Sequence, residues 1–112
     1  MKSNTNYIYL LKTIDDCVKY KIGVSKNPKK RVKQLKTGNP NGIELLQFFE
    51  SIYAYKIESK LHKEYKSNKL DGEWFVFEDD SIEYTFLSRC IEIHDYLKLI
   101  LTTNTYINEN TN

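Results

Sequence analysis

Residues 7–24 read YIYLLKTIDDCVKYKIGV and contain two short runs of β-branched, aromatic and aliphatic residues, YIYLL at 7–11 and YKIGV at 20–24. Both runs read as strands. The segment between them, 12–19, carries Asp15-Asp16 near its middle and is short enough to join antiparallel neighbours as a hairpin. With the turn centred near Asp15, Tyr9 falls opposite Lys21. Period-two alternation then places Ile8, Leu10, Tyr20, Ile22 and Val24 on one face, and Tyr7, Tyr9, Lys19, Lys21 and Gly23 on the other. The first face reads as core, the second as polar and aromatic.

Working outward, Asn27-Pro28 is a helix start, because Asn caps free N–H groups and Pro suits the first helical position; Gly38 is a suitable stop. A helix is predicted over 28–37. Its apolar stripe, Val32 and Leu35, is narrow, and Arg31 stands at the edge of that stripe, within reach of the polar sheet face. The loop GNPNG at 38–42 is dense in turn residues, and 43–52 (IELLQFFESI) reads as a third strand, central or well covered. From 54 to 66, Ala54, Ile57, Leu61 and Tyr65 recur at helical spacing, and Glu58 and His62 project from one side beside that stripe. Asp71-Gly72 makes a turn, and 73–77 (EWFVF) reads as a short strand or packed extended segment. Asp79-Asp80-Ser81 caps a third helix through about residue 101, buried along Ile82, Phe86, Ile93, Leu97 and Ile100. The Thr/Asn-rich stretch 102–112 reads as a flexible, frayed tail, and no internal repeat is visible.

The sequence of 112 residues, 40% hydrophobic and 29% charged, suits one domain with one modest core and excludes a two-domain enzyme. No apolar run approaches the roughly 18–20 residues of a membrane span, and MKSNTNY lacks a hydrophobic signal region, so a soluble, cytoplasmic protein is expected. Cys17 and Cys90 have neither CxxC nor Cys/His ligand spacing, which suggests no zinc site and no disulfide framework. Charge is unevenly distributed. Lys19, Lys21, Lys26, Lys29, Lys30, Arg31, Lys33 and Lys36 crowd 19–42 without an acid, whereas Asp71, Glu73, Glu78, Asp79, Asp80, Glu83, Glu92 and Asp95 face only Arg89 within 71–95. A chain polarised in this way can present a basic face to a polyanion, and nucleic acid is the obvious candidate.

The order YIY, KIG, the Arg-containing RVKQL, Glu58 within IESKLH, and GEWF resembles the GIY-YIG nuclease superfamily, and more narrowly its phage "open reading frame 172" DNA-binding branch. The resemblance spans 7–77 and leaves the third helix as an extension, within a single domain at 1–101. It implies an α+β (α/β-class) fold with a small three-stranded antiparallel sheet flanked by helices. It also implies a metal-dependent phosphodiesterase site on the polar sheet face. By similarity Tyr9 matches the tyrosine of GIY, Arg31 the arginine of the first helix and Glu58 the metal-binding glutamate of the second. Lys21 stands where YIG has tyrosine, Tyr7 replaces the glycine of GIY, and the late asparagine of the superfamily has no clear counterpart, Asn68 being the nearest.

On this reading Tyr9, its pKa lowered by the ammonium of Lys21 opposite, positions or deprotonates the attacking water, and Arg31 holds the scissile phosphate with its planar fork. Glu58 would anchor one Mg²⁺ or Mn²⁺, and His62 would contact phosphate or orient a water. No organic cofactor is called for. The expected function is a small metal-dependent DNA endonuclease from a phage, virus or mobile element, with a homodimer or sequential nicks required for double-strand cleavage. The alternative is a non-catalytic DNA-binding module in which Lys26, Lys29, Lys30, Lys33 and Lys36 contact phosphates; a protein-interaction domain is a third reading. Bland readings stand beside these: Tyr7 and Tyr9 as strand aromatics, Arg31 as a solvated cation, Glu58 paired with His62 or Lys63, and Trp74 and Phe75 as core.

Overall fold

The hairpin forms with longer arms than the apolar runs alone define: β1 spans Asn6–Ile14 and β2 spans Val18–Ser25, paired antiparallel. The computed structural model describes residues 5–14, 17–37, 42–70 and 72–110, with side chains described as far as residue 102; Asp15, Asp16, Gly38 and Asp71 lie outside the described residues. Tyr9 is opposite Gly23, not Lys21, which pairs with Leu11 instead. Ile14 pairs with Val18, so the turn is centred one residue later than the spacing suggests, and each partner moves by two. An even shift leaves every side chain on its expected face.

The sheet has four strands rather than three, in the order β3-β1-β2-β4. β3 is Glu44–Ser51, antiparallel to β1, and β4 is the aromatic pair Trp74–Phe75, with Lys21 opposite Trp74 and Tyr20 opposite Phe75. β3 is therefore an edge strand and only partly buried, neither central nor as well covered as its hydrophobic run suggested. Its register slips at Leu46, between Leu45 opposite Leu11 and Gln47 opposite Leu10. The bulge lets Leu45 join one face of the sheet while Leu46 and Phe49 join the other. Apolar residues on both faces of β3 thus follow from a bulge and two covering layers.

Helices α1 (Pro28–Thr37), α2 (Ala54–Glu64) and α3 (Ile82–Asn110) cover the two faces. Asn27 caps α1: its Oδ1 accepts from the Lys30 N–H at 3.1 Å and its carbonyl from the Arg31 N–H at 3.0 Å. In the main core, Ile8, Leu10, Tyr20 and Ile22 pack beneath Ile57 and Leu61 of α2 and Phe86, Cys90 and Ile93 of α3, with Phe75 among them. Tyr9 and Leu11, on the face expected to be polar, form a second, smaller core with Val32 of α1 and Ile43. Burial pushes the Cys90 thiol up to about 12, so it acts as a small hydrophobe, whereas the Cys17 residue is exposed.

No Gly or Pro interrupts α3, and its helical backbone continues to Asn110, past the end expected near residue 101. Polar contacts at Glu83 and His94 fasten this helix to the sheet. Glu83 accepts from Lys12 Nζ at 2.7 Å and from the Tyr20 hydroxyl at 2.6 Å, and His94 Nδ1 meets Ser51 Oγ at 2.7 Å. The Lys12 bond, then the Tyr20 bond, hold the Glu83 carboxyl below the usual carboxylate range. Its stabilising contribution is complete above the unfolded-state value of about 4.3 and is lost as pH falls through the lower folded value. Glu83→Gln should therefore flatten the dependence of the urea midpoint on pH between about 5 and 2. Identical acid limbs for variant and wild type would refute the assignment.

Candidate active site

Tyr9 lies across Gly23: a Cβ built on that glycine would stand 2.5 Å from the Tyr9 hydroxyl oxygen and 2.7 Å from Cζ. The absent side chain gives the phenol passage over β2 toward the outer edge of that strand. β4 pairs with β2 only at Tyr20 and Lys21. One residue further on, the Ile22 carbonyl meets His62 Nε2 of α2 at 2.9 Å, and the imidazole lies edge-on to Phe75 at 5.0 Å. A carbonyl only accepts, so Nε2 carries the hydrogen and a neutral ring leaves Nδ1 as an acceptor. Glu58, one turn earlier on α2, is half-buried beside the same edge.

Burial raises the Tyr9 phenol above its ordinary value; a hydrogen bond and the charge of Arg31 draw it down, and the carboxylates of Glu73 and Glu58 push it up. The net direction is upward, so the phenol is neutral at pH 7. Burial also raises the Glu58 carboxyl, followed by the charge of Glu73, while His62, Lys21 and Lys69 oppose the shift. Lys21 is itself buried, paired with Glu73 Oε1 at 2.9 Å, and placed 5.5 Å from the Trp74 ring centroid. The cation acting on Tyr9 is thus Arg31, and the expected pairing of Tyr9 with Lys21 gives way to Lys21–Glu73. The reason is the register, which puts Lys21 beside β4 and leaves only glycine opposite Tyr9.

Tyr9, Lys21, Arg31, Glu58 and His62 therefore gather around one edge of the sheet, with Glu73 and Lys69 added to them. Neither addition was expected from the sequence. Glu73 was visible as the first residue of EWF, directly before the Trp74 that pairs with Lys21. Asn68 acts structurally, because its side-chain amide donates to the Val76 carbonyl at 3.2 Å and its own carbonyl accepts from the Val76 N–H at 2.9 Å. These two bonds tie the turn after α2 to the segment following β4. Lys26, Lys29, Lys30, Lys33 and Lys36 are all exposed. At helical spacing, however, Lys29, Lys33 and Lys36 lie on the flank of the Val32/Leu35 stripe opposite to Arg31.

Among the described residues no three His, Cys, Asp or Glu side chains form a group that could hold a metal ion. Glu58 would be the residue to hold a Mg²⁺ or Mn²⁺ ion, since the neighbouring Glu73 carboxylate is paired with Lys21. Such ions bind through one or two carboxylates and otherwise through water and phosphate oxygens.

Tyrosine, arginine and glutamate converging at the partly open edge of a four-stranded antiparallel sheet define a small α+β domain with a polar, mixed-charge site. Residues 6–94 match the model of the T5orf172 domain, and the chain belongs to that family. The matched span continues past residue 77 to His94 of α3, which places the first part of this helix inside the family domain, in keeping with its place in the main core. No curated protein and no solved structure matches the chain. No helix among the described residues is long and apolar enough to cross a membrane.

Proposed function

We propose that this domain binds DNA and cleaves its phosphodiester backbone as a divalent-metal-dependent nuclease of GIY-YIG type. The observation that carries the reading is the passage of Tyr9 over Gly23 into the company of Arg31 and Glu58. Membership of the T5orf172 family and the basic 19–42 segment support it.

In this scheme water attacks phosphorus, the bond to the 3′ oxygen breaks, the proton of the attacking water is lost to solvent and the departing 3′ oxygen takes one from solvent. Arg31, exposed at the edge of α1, offers its planar fork to the non-bridging oxygens. Tyr9, kept neutral by burial, donates a hydrogen bond that positions the water instead of removing its proton. His62, its Nε2–H fixed on the Ile22 carbonyl, holds its ring beside Glu58 to contact phosphate or orient the same water. Glu73 holds Lys21 as a second cation beside Glu58. Mg²⁺ or Mn²⁺ bound at Glu58 would neutralise phosphoryl charge and stabilise the leaving oxygen.

One observation favours a non-catalytic DNA-binding role: Lys21, at the position of the YIG tyrosine, is already engaged by Glu73. Nicking of supercoiled plasmid with Mg²⁺ or Mn²⁺, read beside a mobility shift over a salt series, separates the two. Nicking is the expected result. A salt-dependent shift without cleavage of duplex, single-stranded or branched DNA would leave the binder. Either way, log affinity should fall with log salt at a slope of about −0.9 per duplex phosphate neutralised.

A further inference from the structure

Resting on the DNA reading above, we infer that the outer face of α2, formed by Tyr55, Lys56, Ser59, Lys60 and Lys63, is a second phosphodiester-strand-binding surface that continues directly from the Glu58 edge.

The five residues line one shallow concavity of about 370 Å³. Their order around the helix follows from its 100° step per residue. Starting at the buried stripe of Ala54, Ile57 and Leu61, the surface runs through Glu58, then His62, then Tyr55 and Ser59, and on to Lys63, Lys56 and Lys60. A strand held at Glu58 and His62 therefore meets Tyr55 next and the lysines after it. Tyr55 is 63% exposed, a large aromatic with a free face at the junction. A nucleobase stacks on such a face whatever its identity.

Charge on this face is of one sign. Lys56, Lys60 and Lys63 are exposed and make no ion pair with the described residues. The first turn of α2 holds no acid, and Glu64, four residues after Lys60, is bound by Arg89 of α3. Lys56 to Lys63 covers seven residues, about 10 Å at 1.5 Å each, which is the axial length of about three phosphates of one duplex strand. On α1, Lys29, Lys33 and Lys36 lie on the flank of the buried stripe away from Arg31, and Lys30 stands between them and Arg31 across the exposed face. On α2 the path from Glu58 to the lysines runs through His62, Tyr55 and Ser59.

The test compares wild type with two triple variants, Lys56→Gln/Lys60→Gln/Lys63→Gln and Lys29→Gln/Lys33→Gln/Lys36→Gln. Binding to labelled single-stranded and duplex oligonucleotides is measured by anisotropy over a KCl series without divalent metal, with far-UV circular dichroism checking each fold. The α2 triple variant should bind at least tenfold more weakly and lose about 2 to 3 from the salt slope, from about 0.7 per contact on single strands and 0.9 on duplex. Tyr55→Ala should weaken single-strand binding about tenfold while leaving the slope unchanged. If wild type binds and only the α1 variant changes the slope, the inference is wrong and the DNA reading stands. Absence of wild-type binding to both oligonucleotides would overturn the two together. Equally tight, equally α2-dependent binding of poly-glutamate would reject a phosphodiester strand as the ligand.

Discussion

Glu58→Ala is expected to lose metal-dependent plasmid nicking by about a thousandfold while still shifting DNA. A thousandfold corresponds to about 4 kcal/mol of transition-state stabilisation, the scale on which a divalent cation acts at a phosphoryl group. Glu58 is the half-buried carboxylate of the edge, and binding of the DNA strand rests on Arg31 and lysines that this substitution leaves in place. The folded domain should tolerate the change, since Glu58 is raised by burial and by the neighbouring Glu73 and so gains little from being charged in the native state. Equal nicking by Glu58→Ala and wild type under the same Mg²⁺ series would remove this glutamate from the chemistry. Arg31→Ala, prepared alongside, should weaken both the shift and the nicking, because its charge serves the bound phosphate and Tyr9 together.

The second large effect comes from one methyl group. Gly23→Ala puts a Cβ 2.5 Å from the Tyr9 hydroxyl and 2.7 Å from Cζ, and both contacts are with a ring gripped by Leu11, Val32 and Ile43. Something must shift, at a cost of about 1 to 3 kcal/mol, as for overpacking in other well-filled cores. Displacement of the phenol by about 1 Å should lower cleavage about a hundredfold. The salt slope of DNA binding should not change, because no cation is touched. Adding Tyr9→Phe to Gly23→Ala removes the nearest clash but not the Cζ contact, so it should recover part of the urea midpoint and none of the cleavage. A Gly23→Ala protein with wild-type stability and wild-type cleavage would show that the approach of Tyr9 to this glycine carries no weight.

Local chemistry made much of this molecule legible. The hairpin faces followed from alternation alone, since an even register shift cannot exchange them. α1 followed from Asn27, Pro28 and the Val32/Leu35 spacing, and the Glu58/His62 pair from a four-residue step beside a buried stripe. The order of YIY, KIG, RVKQL, Glu58 and EWF led to the same family that the span 6–94 matches.

Which side chains meet at the edge was not local information. A turn centred one residue later put Gly23 opposite Tyr9, and alternation is blind to that displacement because both registers bury the same residues. Likewise, the two-residue β4 lacks the length to display a period, yet its pairing with β2 fixes Lys21 beside Glu73 and leaves the Ile22 carbonyl to His62. β3 read as central or well covered because hydrophobicity does not report neighbours, and as an edge strand with a bulge it is in fact only partly buried, with Phe48 exposed. Sequence by itself determined which residues share a face and most of the helices and strands they build, because these depend on spacing within a few residues. Tertiary structure alone decided the pairings of Tyr9 with Arg31 and of Lys21 with Glu73, because such contacts depend on strand register, on how α1 and β4 pack against the hairpin, and on the side chain that glycine lacks.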